Sequence, residues 1–427
     1  MKTLNKIIIA ALALMASHEA IKADVIYETY NLWICGTQVT GENCADLSVI
    51  DGVTGSAWYD GANKTLVLNG ATISQTHSGG YAITSQIDGL TIKTLAASSV
   101  SCSNDYTIYL QATTTFTGGA VTLSVSGKSA VVINKDSLIV SGDMTLSCEG
   151  TNYGIDGKYQ YDPMPKTYLK VASPSAKIKS KGANGSVVNF TNFVIDHSVV
   201  GIVTPTDGVY ENYFSHYSVG RWNQDYTNSI VKDEWVTIGL KVRIDGEHFP
   251  DENFRNYILA QPYGTDEYLT CEDVPSIMSL IINNKNISDL TGIGYFSNLT
   301  YLNCSFNNLT TLDLSHNAML NNVYCQVNNI AGSGVEEMIV NLPVVDNKTI
   351  YLYKPDATSE NNLFTRPFVQ LAKRLGWVVK RYSTESSSWI DYDGEASDMS
   401  ELEDDMNSDG KVSIADVTEL VNIITNQ

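Results

Sequence analysis

Hydrophobic and polar residues alternate in short runs along the first half of the chain. From about residue 24 to 219, segments such as LTIKTL, AVTLSV, SLIVSGDMTLSC, TYLKVA and NFVIDHSVVGIV are separated by Gly, Asn, Asp and Ser, and almost no stretch carries a helical period. A period of two puts alternate side chains on opposite faces of a strand, and short strands at regular spacing specify a sandwich, a barrel or a solenoid. The spacing favours the solenoid. Phe116 aligned with Leu138 gives an interval of 22 residues, and Leu169 with Phe193 gives 24, both close to one rung of a β-helix. The interval from Leu138 to Leu169 is 31, which predicts one rung carrying an inserted loop, YGIDGKYQYDPMP. A solenoid tolerates this because insertions go to loops while the stacked strands keep their register. A β-sandwich is the alternative fold.

The pattern changes after a junction near Leu240. LTYLNCSFNNL (299–309) and LNNVYCQVNNI (320–330) both read L-x-x-L-x-L-x-x-N-x-L at a spacing of 21, and IMSLIINNKNI (277–287) lies 22 residues earlier with Lys285 in the Asn place. These segments resemble leucine-rich repeats. The resemblance implies leucines pointing into a shared core, one strand of a parallel sheet per repeat, and Asn307 and Asn328 bonded to backbone at the turns. LTTLDLSHN (309–317) would supply the convex return, KTIYLYK (348–354) one more strand, RPFVQLAKRLG (366–376) an amphipathic helix, and WVVKRY a last strand. Cys304 and Cys325 occupy the same inward position on neighbouring rungs, about 4.8 Å apart across the sheet. We read them as structural thiols, because nothing cationic lies nearby in sequence to lower a thiol pKa. The preceding stretch, FPDENFRNYILAQPYGTDEYLTCEDV (249–274), resembles the helix–loop cap ahead of internalin-like repeats. Some caps of that kind hold calcium; here Pro262 and Gly264 stand where oxygen ligands are needed beside Asp266, Thr270 and Asp273, so a cap without calcium is expected.

The end of the chain carries the clearest metal pattern. In DDMNSDGKVSIADVTELVNIITNQ, Asp405, Asn407, Asp409, Gly410, Ser413 and Asp416 fall at positions 1, 3, 5, 6, 9 and 12 of an EF-hand-like loop, a spacing that gathers oxygens around one hard cation. Val417, Leu420, Val421 and Ile424 then share one helical face. A calcium loop followed by a helix, with no leading helix, resembles half a dockerin. The resemblance implies calcium held by the side chains of Asp405, Asn407, Asp409 and Asp416, the backbone carbonyl of Lys411, and Ser413 directly or through water. It also implies a cohesin-like partner. Against that partner, Ile414 and Ala415 replace the hydroxyl pair that cohesin-binding dockerins use, and the only trace of a second half is IDYDGEASD (390–398). The opening stretches YNLWICGTQVTGENCADL and YDGANKTLVLNGATI resemble N-terminal modules of Bacteroides-type exported proteins, which implies a β-helical fold and a carbohydrate-binding label for the first domain.

Composition changes this picture in three ways. Residues 1–23 pair Lys2 and Lys6 with an apolar run from Ile7 to Ala16 that is too short to span a bilayer, which predicts a secretory signal peptide. No later stretch is long enough for a transmembrane segment, so we expect a secreted or cell-surface protein. The net charge of −20 is concentrated at the end, where residues 385–427 hold twelve Asp/Glu and one Lys, and this disfavours nucleic acid and anionic membrane. Seven cysteines leave at least one unpaired within the chain; Cys35 and Cys44, nine apart, could close a small loop or stay free. Catalytic patterns are missing: there is no GxSxG, HExxH or P-loop, and the first arginine, Arg221, lies beyond all the predicted rungs.

The expected architecture is mainly β: a right-handed β-helix-like solenoid (24–240), a short leucine-rich-repeat α/β solenoid with caps (244–384), an acidic linker (385–403) and a small calcium-loop and helix tail (404–427). Three aromatic surfaces are candidates for a glycan or protein ligand, two on the first domain and one on the repeats. One is YENYFSHYSVGRWNQDY (210–226), with Tyr210, Tyr213, Tyr217 and Trp222 around Arg221, which we prefer to read as a cap packed on the open solenoid end; Tyr153, Tyr159 and Tyr161 form a weaker one. The third is the concave face of the repeats, where Tyr301, Asn303, Ser305, Tyr324 and Gln326 should point outward. The function expected is non-enzymatic binding or adhesion. The alternative is a dockerin-bearing carbohydrate-active enzyme.

Overall fold

The computed structural model describes residues 28–395, apart from 78–79, 159–164, 214–215 and 222–228. The expected signal segment, the calcium module with its six ligand residues, and Trp222 therefore lie outside the described residues. The described residues form two compact units, one drawn from 28–194 with 207–237 and the other from 195–206 with 238–395.

The first unit is a stack of parallel strands in three ladders. In the first ladder Leu66, Ile92, Phe116, Val140 and Val171 follow one another in register, and Leu90, Thr114, Leu138, Leu169 and Phe193 form the neighbouring column. The second ladder carries Ile73, Val100, Val125 and Cys148, and the third Ile83, Ile108, Val131, Ile155 and Val187. Each of these side chains is at most 5% exposed, so the three ladders enclose one core. Gly127, Gly150 and Gly182 are in register at one corner, where an added Cβ would overlap backbone carbonyl oxygens. At the start of the unit, Val53–Asp60 runs antiparallel on Thr65–Gln75, and Thr29–Ile34 runs antiparallel to both Thr37–Thr40 and Ile83–Ser85. These strands cover sheet edges that would otherwise be open to pairing.

Two expectations are corrected here. Phe116 pairs with Val140, 24 residues on, and not with Leu138. A slip of two leaves every inward residue inward, so hydrophobic alternation alone does not distinguish the two registers. The predicted insertion also begins later than expected, because Tyr153, Ile155 and Asp156 belong to the strand Thr145–Asp156 and pair on both sides.

The second unit contains the repeats. Ser279–Ile281, Tyr301–Asn303, Asn322–Tyr324, Lys348–Tyr353 and Trp377–Ser383 form a parallel sheet in that order. Leu280, Leu302, Val323, Ile350 and Val379 stand in one inward column, none more than 1% exposed. Helices Ser333–Val340 and Arg366–Arg374 lie between the later strands, and Glu252–Leu259 precedes the first. Asp251 caps that first helix through Phe254 N (2.9 Å) and also holds Ser288 N (2.8 Å), tying the cap to the first repeat. The sheet extends beyond the expected boundary at residue 384: Ser388–Asp391 returns antiparallel on Trp377–Ser383, so the first part of the presumed acidic linker is a strand. Its pairing is supported across the strands by Tyr382 with Trp389 and by Lys380 with Asp391.

Turns between repeats are held by buried amides. Asn328 donates from Nδ2 to the carbonyls of Cys304 (3.1 Å) and Cys325 (2.9 Å) and accepts Leu309 N at Oδ1 (3.0 Å). Asn307 does the same one repeat earlier, and Asn362 one repeat later, with Cys325 O, Leu352 O and Ile330 N. Cys304 and Cys325 are fully buried, their thiols donating to Tyr324 O (3.4 Å) and Tyr351 O (3.6 Å) on the next strand. Burial pushes the Cys304 thiol up to about 12.

Candidate ligand-binding surface

Alternation along each short repeat strand decides what the sheet presents away from its core. Leu302 points inward, so Tyr301 and Asn303 on either side point outward, and Val323 places Asn322 and Tyr324 likewise. Register then stacks these positions across the sheet. One outward column runs Ile281, Asn303, Tyr324, Tyr351, Lys380, Asp391, and its neighbour runs Ser279, Tyr301, Asn322, Thr349, Val378.

The aromatic members touch. Tyr301 and Tyr324 have ring centroids 5.6 Å apart, and Tyr324 lies parallel to Tyr351 at 4.0 Å and 4°. Trp389 meets Tyr351 edge-on at 4.8 Å and Tyr382 at 5.5 Å. The result is a continuous five-ring ladder, each ring half-buried, crossing four strands of the repeat sheet and the antiparallel strand that closes it. Strand spacing sets the repeat distance, so rings at matching register positions stack without any insertion.

The ladder has an apolar and a charged end. Ile281 is 55% exposed at the first-repeat end. At the other end Lys380 Nζ and Asp391 Oδ1 are 2.8 Å apart, and the ammonium holds the Asp391 carboxyl below its usual range. Lys354 Nζ sits 5.0 Å from the Tyr382 ring centroid. Burial, then a hydrogen bond with Tyr351, push the Tyr324 phenol above its ordinary value, which keeps it a neutral donor and acceptor. Such a face can stack flat apolar groups and accept or donate hydrogen bonds beside them. Among the described residues no group of three or more His, Cys, Asp or Glu side chains could hold a metal.

Of the residues expected on this face, Tyr301, Asn303 and Tyr324 are brought together. Asn303 is partly committed, since its Oδ1 accepts the Ser305 amide (3.2 Å) and hydroxyl (2.7 Å). Ser305 and Gln326 are corrected: both are buried, 2% and 6% exposed, because they lie past the strand where the chain turns under the sheet. Tyr351, Tyr382 and Trp389 were not anticipated as members. Outward alternation in KTIYLY and WVVKRYS was the available signal for the two tyrosines.

The aromatic candidate at 210–226 takes a different form. Tyr213 ends the strand Gly208–Tyr213 and pairs with His216 in an antiparallel hairpin. On the return strand, Tyr217 exchanges backbone hydrogen bonds with Phe190, and its ring lies edge-on to Phe193 at 6.5 Å. Tyr210 is 4.9 Å from Phe193, and burial pushes its phenol up. Arg221 is engaged by Asp207 (2.9 Å) and Glu234 (2.6 Å). Tyr210 and Tyr217 thus pack on the last rung of the first unit.

No family model matches the chain. It is similar to Internalin J of Listeria monocytogenes, with 42% identity over 71 residues, which is 16% of this chain and 8% of that protein. The chain therefore spans less than a tenth of the length of this curated relative. Among solved structures it matches one described as the functional domain of InlJ from Listeria monocytogenes including a cysteine ladder, at 30% identity and a TM-score of 0.20, over 29% of this chain and 27% of that one. The sequence similarity supports an internalin-like repeat region.

Proposed function

We propose that this chain is an exported, non-catalytic binding and adhesion protein that engages a protein ligand through the outward face of its repeat sheet. The observation that carries this reading is the ladder Tyr301, Tyr324, Tyr351, Trp389 and Tyr382, an aromatic surface that contributes nothing to the inward core. Tyrosine and tryptophan are the residues that dominate protein-binding surfaces, because they offer large contact area with few rotatable bonds. A glycan is the second reading, favoured by the half-buried rings beside the polar groups of Asn303, Lys380 and Asp391. Among the described residues no helix is long and apolar enough to cross a membrane.

In the same reading, the tail binds one calcium through Asp405, Asn407, Asp409, Lys411, Ser413 and Asp416, and serves as an attachment module for a cohesin-like or other partner. The test is an array of purified extracellular proteins and glycans probed with the full chain, with and without a calcium chelator. Binding to protein spots that survives chelation supports a protein ligand for the repeat face. Binding confined to glycans transfers the function to the second reading, and no binding on either array refutes both. Calorimetric titration with calcium should show one site, absent in Asp405→Ala.

A further inference from the structure

We propose that Cys35 and Cys102 are joined by a disulfide in the exported protein, stapling the first hairpin to the second rung of the first unit. This rests on the reading that the chain is exported, since such bonds persist in oxidising compartments.

Cys35 and Gly36 form the turn between Thr29–Ile34 and Thr37–Thr40, with φ of 47° and 79°. That turn is fixed over the rung below by Cys35 N donating to Ala82 O at 2.9 Å. Cys102 reaches the same segment, its thiol donating to Gly80 O at 3.4 Å. Both cysteines also approach the end of the strand Thr65–Gln75. Cys102 is the register partner of Gln75. A Cβ added to Gly52 would lie 3.0 Å from the Cys35 sulfur and 2.5 Å from Ser74 O, which places that sulfur beside Ser74. Burial, then Asp51, then Cys102 push the Cys35 thiol up to about 11.

The remaining cysteines have other surroundings. Cys44, the partner suggested by spacing, lies beyond the far end of the hairpin, with its thiol toward Gly41 O (3.8 Å) and its carbonyl bonded to Tyr59 N (2.7 Å). Cys148, Cys304 and Cys325 are fully buried in their cores, and Cys271, 6% exposed, belongs to the core of the second unit.

The chemistry needs a low-molecular-weight disulfide, such as oxidised glutathione, as oxidant. The Cys35 thiolate attacks it, forming a mixed disulfide and releasing one thiol. The Cys102 thiolate then displaces the second, so two protein thiols become one S–S bond and one disulfide is reduced to two thiols.

The experiment uses the full chain, refolded with oxidised and reduced glutathione, then denatured, alkylated and mapped by mass spectrometry. Two of the seven thiols should escape alkylation, leaving five labelled, and one reducible peptide pair should join Cys35 to Cys102. In Cys35→Ser, Cys102 should become labelled, and reductant should lower the melting temperature of the wild type but not of this variant. Seven labelled thiols, or a link such as Cys35–Cys44 or Cys304–Cys325, would overturn the proposal. The same map on cell-derived protein separates the two premises: a chain found only inside the cell refutes the export reading and not the pairing, whereas a chain recovered from culture medium without the link overturns the proposal.

Discussion

Asn328→Ala is the substitution that most directly probes how the repeats are held together. Asn328 is fully buried and satisfies two carbonyls and one amide on two neighbouring repeats. Removing it strands Leu309 N, which costs about 1–3 kcal/mol, and takes from Cys304 O and Cys325 O one of their two amide donors, at about 0.5–1.5 kcal/mol each, since Asn307 and Asn362 also donate to them. Partial relaxation recovers some of this, so a loss of about 3 kcal/mol is expected, a large fraction of the stability of a domain. For a unit of this size that corresponds to a fall in melting temperature of roughly 6–12 °C. The matching control is Asn329→Ala, whose side chain accepts only from the exposed Asn361 amide (2.8 Å) and should change stability by less than about 0.5 kcal/mol. Because the two units need not unfold together, the assay is urea titration of the full chain with hydrogen exchange read on peptides covering 299–330. Equal exchange and equal midpoints for the two variants would refute the role assigned to the asparagine ladder.

Leu302→Asp should prevent the repeat unit from folding cooperatively, since a carboxylate at a fully buried position costs several kcal/mol, comparable to the whole stability; Leu302→Met should cost less than about 1.5 kcal/mol by the same titration. Glu360 accepts Val327 N (2.9 Å) and Lys354 N (2.7 Å) while burial raises its pKa above the ordinary 4.5. A raised folded pKa means the protonated form is favoured by folding, so stability is fullest below about pH 4.5 and is lost as pH rises through the shifted value. Urea midpoints across pH 4–7 should therefore fall with rising pH more in the wild type than in Glu360→Gln, and parallel profiles would contradict this.

Much of the repeat unit was legible because its motif carries its own register. Spacings of 22 and 21 residues placed Leu280, Leu302 and Val323 in one column, as the structure pairs them. The asparagine of the next turn was not read, because Ser333–Val340 lengthens that repeat and moves Asn362 out of step, although N-x-F at 362–364 keeps part of the pattern. In the first unit the stacking of strands was visible, yet the rung length was misread by two at Phe116, where alternation is blind to even shifts. Trp389 was hidden for a different reason. Its four-residue strand sits in a stretch whose acidic composition suggested a solvated linker, and only pairing with Trp377–Ser383 makes it part of the sheet. Ser305 and Gln326 show the limit of extrapolating alternation past a three-residue strand, since the chain turns before the next outward position is reached.

The central claim is that Tyr324 and Tyr351, at the middle of the aromatic ladder, bind the ligand and contribute little to stability. The decisive measurement compares the full chain with its Tyr324→Ala/Tyr351→Ala double variant by surface plasmon resonance on the strongest protein from the array, alongside thermal melting of both. Removing two stacked rings at the middle of a binding surface should weaken affinity by about 2 kcal/mol or more, roughly thirtyfold, while a half-exposed pair leaves the melting temperature within a few degrees. Unchanged affinity would contradict the claim, as would a collapse in melting temperature that accounts for the lost binding.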